Sequence, residues 1–266
     1  MNSKYRSNPL ARWIGLIACS AAPFTPIATA ETALEEVVVT SQLRETAQLD
    51  TPTSVSVLDS AVIEARGATN LEQLLNLAPN VNFSAGASRG RFVQIRGIGE
   101  RSQFIDPVNP SVGLLIDGID FTGLGLAAST LDIEQVEILR GPQGTVYGAN
   151  ALAGLITMTS NAPSETAFAK VSAEVAEYGS HTLSAVSSGP LSDKLSYRVA
   201  AQNQQSDGYV QNRHLRRDDT NNTDESVVRG KLRYQASDDL QLDFSLLHLD
   251  VDNGYDAFTL DNSRNT

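Results

Sequence analysis

A strand followed by a dense run of glycines most constrains the fold of this chain: DIEQVEILRGPQGTVYGANALAGLITMT, from Asp132 to Thr159. Its first part alternates toward a half-buried strand, with Val136 and Ile138 on one side. Gly141-Pro142 then ends this strand, because proline cannot donate to a strand ladder.

The segment after that proline carries three more glycines, which permit backbone conformations and close approaches that a Cβ would forbid. We therefore predict tight turns around a short helical piece, and then a return strand that begins with Ile156 and Met158. An ordinary strand-loop-strand is the alternative interpretation. The three glycines are Gly144, Gly148 and Gly154.

The first thirty residues have the pattern of a secretory signal peptide. A basic start precedes an apolar run from Trp13 to Ala22, and Ala28-Thr29-Ala30 forms a small-residue cleavage site. This run is too short to span a membrane as a helix. The alternative is lipoprotein processing at Cys19, which follows Leu16-Ile17-Ala18.

Composition limits the partners of the exported protein. The 266 residues carry a formal charge of -11, and the first thirty contribute three positive charges and no acid. The remainder is therefore strongly acidic, which argues against nucleic acid as a partner. Cleavage after Ala30 removes the single cysteine, so the mature part of this sequence has no disulfide framework.

A β-prone run follows the predicted cleavage site. Its residues are Glu35, Glu36, Val37, Val38, Val39 and Thr40. Taken alone it predicts an exposed edge strand, and such strands add readily to another sheet. The polar segment from Ser41 to Thr51 lacks periodicity and ends at Pro52, which predicts a linker.

The next hundred residues predict a mixed set of short elements. Thr53 to Leu58 alternates as a strand, Ser60 is the predicted cap of a helix that Gly67 ends, and Thr69-x-x-Glu72 is a capping box. The helix after this box has apolar residues at helical spacing. These are Leu71, Leu74, Leu75 and Ala78. Val93 to Gly97 predicts another strand, and Val112 to Ile116 leads into Asp117-Gly118, a dipeptide favoured in hairpin turns.

RGPQGTVYGANALAGLI closely resembles the signature of the plug domain of TonB-dependent outer-membrane receptors. IRGIG, a strand with IDGI, and VEILRGPQG follow in the family's order, so the resemblance covers about Glu35 to Pro163. The matching signature residues are Gly97, Asp117, Gly118, Gly141, Pro142, Gly144, Tyr147, Gly148 and Gly154.

The resemblance assigns roles to two further groups of residues. It implies that Glu35 to Thr40 is the TonB box, which pairs as an added strand with the energy-transducing protein TonB. Arg96 and Arg140 each precede a glycine at the end of an apolar strand, where a guanidinium reaches water or pairs with carboxylates. In the family, arginines at these positions hold the plug against barrel glutamates, which we expect in strands beyond this sequence.

After Pro163 the pattern changes to long alternating segments with one apolar and one charged face, typical of transmembrane barrel strands. Short turns at Leu191 to Lys194 and Ser237 to Asp239 alternate with a long polar loop, Ser206 to Glu225. A soluble sandwich shows the same alternation. We predict five strands, near Ala167 to Tyr178, His181 to Gly189, Lys194 to Gln205, Ser226 to Gln235 and Leu240 to Val251.

No enzymatic constellation emerges. His181, His214 and His248 are isolated and lack metal-ligand spacing, and GLGLAA lacks the βαβ context of a dinucleotide site. Asp117 and Asp120 flank a turn, which favours turn formation over acid-base chemistry. We expect neither an enzyme nor a cofactor or metal site.

Taken together, the predicted fold class is an α+β plug domain, a small mixed sheet with short helices, followed by antiparallel strands of an incomplete transmembrane β-barrel. The predicted domains are a signal peptide (1–30), the TonB box and linker (31–51), the plug (52–163) and the first barrel strands (164–266). Family barrels have about 22 strands, so we expect an N-terminal fragment of a longer receptor.

The resemblance implies active transport of a scarce ligand across the bacterial outer membrane, most often a ferric siderophore, by a multi-pass β-barrel. The partners are then TonB, outer-membrane lipid and the extracellular ligand. We expect ligand contacts in the loops around Ser84 to Arg91 and Glu100 to Pro110. The alternative is a periplasmic binding or adaptor protein that uses a plug-like domain without a pore.

Overall fold

A computed structural model describes residues 38–39, 46–85, 89–102, 106–213 and 215–255. The predicted signal peptide lies outside the described residues, as do His214 and four residues of the predicted TonB box: Glu35, Glu36, Val37 and Thr40. No helix in the described part of the chain has the length and apolar character needed to cross a bilayer.

The chain enters the fold through a small antiparallel pair, β1 (Val38–Val39) and β2 (Thr46–Ala47). A 3₁₀ turn (Gln48–Asp50) follows. The predicted linker from Ser41 to Thr51 therefore contains a short strand and a helical turn. The sequence does not predict these elements, because a two-residue strand has no periodicity to detect.

Strand β3 (Ser54–Asp59) leads directly into helix α1 (Ser60–Arg66). The predicted cap at Ser60 is wrong by one residue: Asp59 is the N-cap, and its carboxylate accepts a hydrogen bond from the Val62 N–H at 2.8 Å. Ser60 is the first helical residue. Gly67 ends the helix in the left-handed conformation (φ 61°), as predicted.

Helix α2 (Glu72–Leu75) is much shorter than predicted, and Thr69 is not its cap. Instead the Thr69 N–H donates to the Gln73 side chain at 2.7 Å, and the Leu71 N–H donates to the carbonyl oxygen of Ala128. Tertiary bonding of the entry residues thus replaces the predicted first turn. The apolar residues of the predicted helix are nevertheless all buried.

The remaining elements of the first half are β4 (Val81–Ser84), β5 (Phe92–Ile95), β6 (Val112–Ile116), β7 (Ile119–Asp120), a 3₁₀ turn (Gly125–Ala127), β8 (Ile133–Arg140), α3 (Gly144–Tyr147) and β9 (Gly154–Ser160). Strands β4 and β5 form a hairpin. The others form a five-stranded mixed sheet in the order β3-β8-β9-β6-β7, in which only the β6–β9 pair is parallel. The predicted helical piece and return strand around the glycines are both present.

One apolar core joins this mixed sheet to α1 and α2. Ile156, Ile138 and Val136 contribute from the sheet, and Leu74 from α2, all with no exposed side-chain surface. The first half therefore has its own hydrophobic core.

The second half is a single antiparallel sheet. Its strands are β10 (Phe168–Val175), β11 (His181–Ser192), β12 (Leu195–Ser206), β13 (Thr223–Ser237) and β14 (Leu240–Val251), paired in sequence order. All five predicted strands are found, with β11 and β13 longer than expected. The sheet does not close: among the described residues, β10 and β14 each have one unpaired edge.

The two faces of this sheet differ, as the alternation predicts. One face packs against the first half of the chain. The other face is apolar and exposed, with Val171, Val175, Leu183, Val199, Val228, Leu232, Tyr234, Leu242, Phe244 and Leu246. Below, "wall" means strands β10 to β14, and "plug" means residues 52–163.

Candidate functional site

The glycine-rich signature builds the centre of the plug. Gly154 pairs with Arg140 where β8 and β9 meet, and a Cβ at this position would collide with the carbonyl oxygen of Leu139 and with Ile95. Only glycine fits this close approach. Gly141 lies directly after β8 with a φ of 108°, a backbone conformation that side chains rarely adopt.

The other signature residues form turns around this centre. Gly97 (φ 78°) follows β5, Pro142 follows Gly141, and Gly144 and Tyr147 begin and end α3. Gly148 (φ 80°) ends that helix. Tyr147 packs beside the buried cluster of Leu139, Ala151 and Leu155. The residues from Pro142 to Gly148 shape the path between β8 and β9, and Gly97 turns the chain after β5.

Asp117 and Gly118 form the predicted tight turn between β6 and β7. Both have positive φ, 50° and 79°, which matches the two-residue hairpin in which both central residues are left-handed. The turn places the Asp117 carboxylate beside the end of β9. Its Oδ1 accepts a hydrogen bond from the Ser160 N–H at 2.9 Å, and Oδ2 accepts one from the Ser160 hydroxyl at 2.7 Å.

The same carboxylate also contacts the wall. Nζ of Lys231 lies 3.1 Å from Oδ1, and Nη1 of Arg229 lies 3.3 Å from Oδ2. Lys231 further donates to the carbonyl oxygen of Ser160 at 2.8 Å. Asp117 therefore links the plug hairpin, the last residue of β9 and strand β13 of the wall.

The environment of Asp117 favours its charged form. Burial opposes ionisation, but hydrogen bonds from the Ser160 backbone and hydroxyl and the charge of Lys231 outweigh it, and the pKa of Asp117 is lowered from its usual 3.8. The carboxylate is therefore ionised at neutral pH.

A second acid of the plug meets the neighbouring strand. Asp132, with a φ of 57°, accepts a bidentate pair of hydrogen bonds from Arg198 of β12, both at 2.6 Å. Asn161 also donates to this carboxylate, at 3.0 Å. Arg198 and Asp132 are 13% and 4% exposed, so this is a largely buried ion pair with good geometry.

In a third ion pair the plug supplies the cation and the wall supplies the acid. Arg89, in the loop between β4 and β5, pairs with Glu225 of β13, and each residue is only 4% exposed. The Arg89 Nε–Glu225 Oε1 distance is 2.8 Å, and Asn253 donates to the same oxygen at 2.6 Å. Removing one partner of such a buried pair costs about 3–5 kcal/mol, because the other charge is left buried and unpaired.

Apolar contacts lie between these ion pairs. Leu131 of the plug is buried against Ala200 of β12 and Val227 of β13, with Leu247 and Leu249 of β14 packed beside them. The plug is thus fixed to β12 and β13 by both charge and apolar packing.

The sequence alone does not predict which wall cation pairs with which plug acid. Arg198, Arg229 and Lys231 stand at the charged positions of the strand alternation, which is the signal that places them on the inner face. Which plug acid each one meets depends on contacts about seventy to over a hundred residues apart, which no local pattern encodes.

The predicted plug–barrel arginines occupy other places. Arg140 is buried within the plug, where its guanidinium donates to the carbonyl oxygen of Pro79 at 3.1 Å and to the hydroxyls of Ser54 and Ser56. Arg96 is exposed after β5, with a φ of 54°. The two cations are close enough that Arg96, after the effect of burial, lowers the pKa of Arg140. Their pairing with barrel glutamates stays a prediction.

Only Val38 and Val39 of the predicted TonB box are described. They pair with Ala47 and Thr46 in an antiparallel ladder, and Val39 is fully buried. These two residues are therefore extended, as strand addition requires, and one of their edges already has a partner.

The described residues contain no cluster of three or more side chains suited to hold a metal ion. Asp120 accepts a hydrogen bond from the Thr122 N–H at 2.8 Å, which fits its predicted place in the turn. The charged groups of the plug described above attach it to the wall.

Comparison with known proteins identifies the plug. Residues 47–155 match the family described as "TonB-dependent Receptor Plug Domain". The pesticin receptor of Yersinia enterocolitica is 29% identical over 205 residues, which cover 76% of this chain and 30% of that receptor. The ferrioxamine B receptor of Salmonella typhimurium is 28% identical over 197 residues, covering 69% of this chain and 27% of that receptor.

The structural likeness extends beyond the plug. The ferric yersiniabactin uptake receptor FyuA of Yersinia pestis superimposes with a TM-score of 0.66 at 29% identity, over 74% of this chain and 31% of that structure. The chain thus spans about a third of the length of these relatives. Residues 47–155 therefore belong to the TonB-dependent receptor plug domain family, and the chain as a whole is similar in fold to the receptors that carry this domain.

Proposed function

We propose that the chain belongs to a TonB-dependent transporter that carries an iron complex across the bacterial outer membrane. The observation that carries this proposal is the two-faced wall. Its inner face holds the plug through ion pairs at Asp117, Asp132 and Arg89, and its outer face exposes apolar side chains such as Phe244 and Leu246. An exposed apolar face of this extent suits hydrocarbon.

The proposed wall requires more strands than the described sheet contains. An unpaired strand edge in lipid leaves backbone groups unsatisfied, at a cost of several kcal/mol each. We propose that further strands pair with the free edges of β10 and β14 and enclose the plug. The relatives, about two and a half times as long, fit this arrangement.

The proposed ligand class is a ferric siderophore. Relatives are named as ferrioxamine B and ferric yersiniabactin receptors, which supports iron complexes as cargo here. Two plug loops expected to contribute ligand contacts meet through Arg91, which donates to the carbonyl oxygen of Gly123 at 2.9 Å and pairs with Asp106. Arg91 would thereby hold both loops in one orientation beneath the ligand.

The proposed energy source is TonB, acting on the run from Glu35 to Thr40. TonB would add as a strand to this run, and tension would then pass through β1 and β2 into β3 of the plug. Main-chain pairing suits this task because it bears load without depending on particular side chains.

The test is to express the full-length gene in cells without their own siderophore receptors and to fractionate the membranes. We expect an integral outer-membrane protein that migrates differently after heating, because closed barrels resist cold detergent. A soluble periplasmic protein would support the binding or adaptor alternative. Growth on iron-limited medium with ferrioxamine B, ferric yersiniabactin or a ferric catecholate then identifies the cargo.

A further inference from the structure

The plug meets the wall in two very different ways. Toward β12 and β13 it forms buried ion pairs at Asp132, Asp117 and Arg89, and Leu131 packs among apolar side chains. This side is largely buried and is held by ion pairs and apolar packing.

Toward β10 and β11 the plug stands away from the wall. A cavity of about 550 Å³ lies between α1 and its following turn on one side and the inner faces of β10 to β12 on the other. Among the described residues, the ion pair that crosses this gap joins Lys170 to Glu64 at 2.7 Å, and these side chains are 61% and 75% exposed. Such an exposed pair contributes little to attachment.

The lining of the cavity is mixed, with polar side chains beside apolar ones such as Ile63, Phe168 and Val186. Its wall side carries Ser172, Thr182, Ser184 and Gln202, and the plug contributes Thr69 and Glu64. Ser172 and Ser184 bond each other at 2.7 Å across β10 and β11, so this part of the wall presents short hydroxyl side chains. A cavity of this size has room for water beside these polar side chains.

We infer that the plug stays attached to β12 and β13 during transport, and that the solute passes between α1 and strands β10 and β11. The inference rests on the proposed transport function. Widening the existing cavity breaks the exposed Lys170–Glu64 pair and the packing of Val186 beside Leu131. Separating the plug from β12 and β13 instead breaks the buried ion pairs at Asp132, Asp117 and Arg89 and exposes the apolar contacts of Leu131 to water. Among the five described wall strands, the path of least resistance therefore lies along β10 and β11.

Two matched pairs of residues test the route. Each pair joins a plug acid to a wall lysine with short side-chain separation: Glu64 with Lys170 at 2.7 Å, and Asp117 with Lys231 at 3.1 Å. In the full-length receptor, each pair is changed to cysteines and linked by the same short, reducible bifunctional thiol reagent. The readout is energised uptake of the radioiron complex that supports growth, measured before linking, after linking and after reduction.

We expect the Glu64→Cys/Lys170→Cys link to reduce uptake at least about tenfold and reduction to restore it, because the bridge crosses the route and stops it from widening. The Asp117→Cys/Lys231→Cys link should leave uptake within about twofold of the unlinked sample, since that contact does not open. If the unlinked variant fails to reach the outer membrane, Asp132→Cys/Arg198→Cys replaces it as the second pair.

Any other result overturns the route. Loss of uptake with both links means that the plug must leave the whole wall. Loss with the β13 link alone means that the path runs on the opposite side, and no effect of either link means that neither contact limits passage. A wild-type receptor in the outer membrane without TonB-dependent uptake would instead overturn the proposed function, and the route with it.

Discussion

Asp117 combines two tasks that usually fall to different residues. It adopts the left-handed turn conformation beside Gly118, and its carboxylate joins Ser160 to Lys231 and Arg229. Asparagine could keep the turn, because short polar side chains tolerate that conformation, but it would lack the charge. A substitution by asparagine therefore removes the charge that attaches the plug while it keeps the shape of the hairpin.

Asp117→Asn should therefore loosen the plug from the wall. We expect the opening free energy of β6 and β7 in the full-length receptor, measured by hydrogen exchange, to fall by about 1–3 kcal/mol. Asp120→Asn is the control, since its carboxylate lies in the same hairpin and bonds Thr122 within the plug. Equal effects of the two substitutions would contradict a role in attachment.

The lowered pKa of Asp117 gives this contact a pH dependence. A depressed pKa in the folded state contributes stability that is complete above the unfolded value and is lost as pH falls through the folded value. The Asp117 contribution should thus be constant near neutral pH and disappear below 3.8. Hydrogen exchange of β6 and β7 as a function of pH measures this contribution. A loss of protection between pH 5 and 7, well above the ordinary carboxylate range, would contradict the assignment of the contact to Asp117.

Gly154 offers a test of the plug core. Gly154→Ala places a methyl group against the Leu139 carbonyl and Ile95, and we expect it to lower the free energy of unfolding by about 1–3 kcal/mol. Gly144→Ala is the matched control, because nothing lies within 4 Å of a Cβ there. Urea unfolding of residues 52–163 provides the measurement. Similar midpoints for the two variants would mean that β8 and β9 are less closely paired at Gly154 than described.

At the scale of elements, the sequence predicts the strands, helices and turns that leave a local pattern. It misses those that are too short to show a pattern or that depend on distant contacts. Strand β8, the Asp117-Gly118 hairpin and the five wall strands follow from periodicity and turn chemistry. Helix α2 is shorter than predicted because Asn70 pairs with Ser129 and competes with the helical turn. Strand β2 was missed because two residues show no pattern, although it is the partner of the predicted TonB box.

The β1 strand supports a prediction about energy transfer. Val38→Pro in the full-length receptor should abolish energised uptake and leave ligand binding at the cell surface intact, because proline removes a main-chain donor and restricts its neighbour. Val38→Ala retains the N–H and should transport at close to the normal rate. Uptake by the proline variant equal to that of the alanine variant would place the TonB contact elsewhere.

At the scale of the whole molecule, the plug and the wall depend differently on their surroundings. The plug has a buried core from Leu74 to Ile156, whereas the wall exposes residues such as Val175 and Leu246. Alternation in the sequence predicts this division. It cannot predict that the plug binds β12 and β13 and stands away from β10, since that depends on pairing of distant charges.

This difference predicts how parts of the chain behave in isolation. Residues 52–163 should fold as a soluble unit, because their apolar side chains are buried among themselves. Residues 31–266 should aggregate or enter inclusion bodies, because the wall face and both strand edges are exposed. Expression of both in the periplasm, followed by centrifugation and circular dichroism, measures this. A soluble, folded 31–266 would contradict a lipid-facing wall.

The dependence of iron uptake on TonB tests the central claim most directly. Cells that produce the full-length receptor are supplied with the radioiron complex that supports their growth, and initial uptake is compared with TonB present and deleted. We predict uptake only with TonB and equal surface binding in both strains. Equal uptake without TonB would contradict the account.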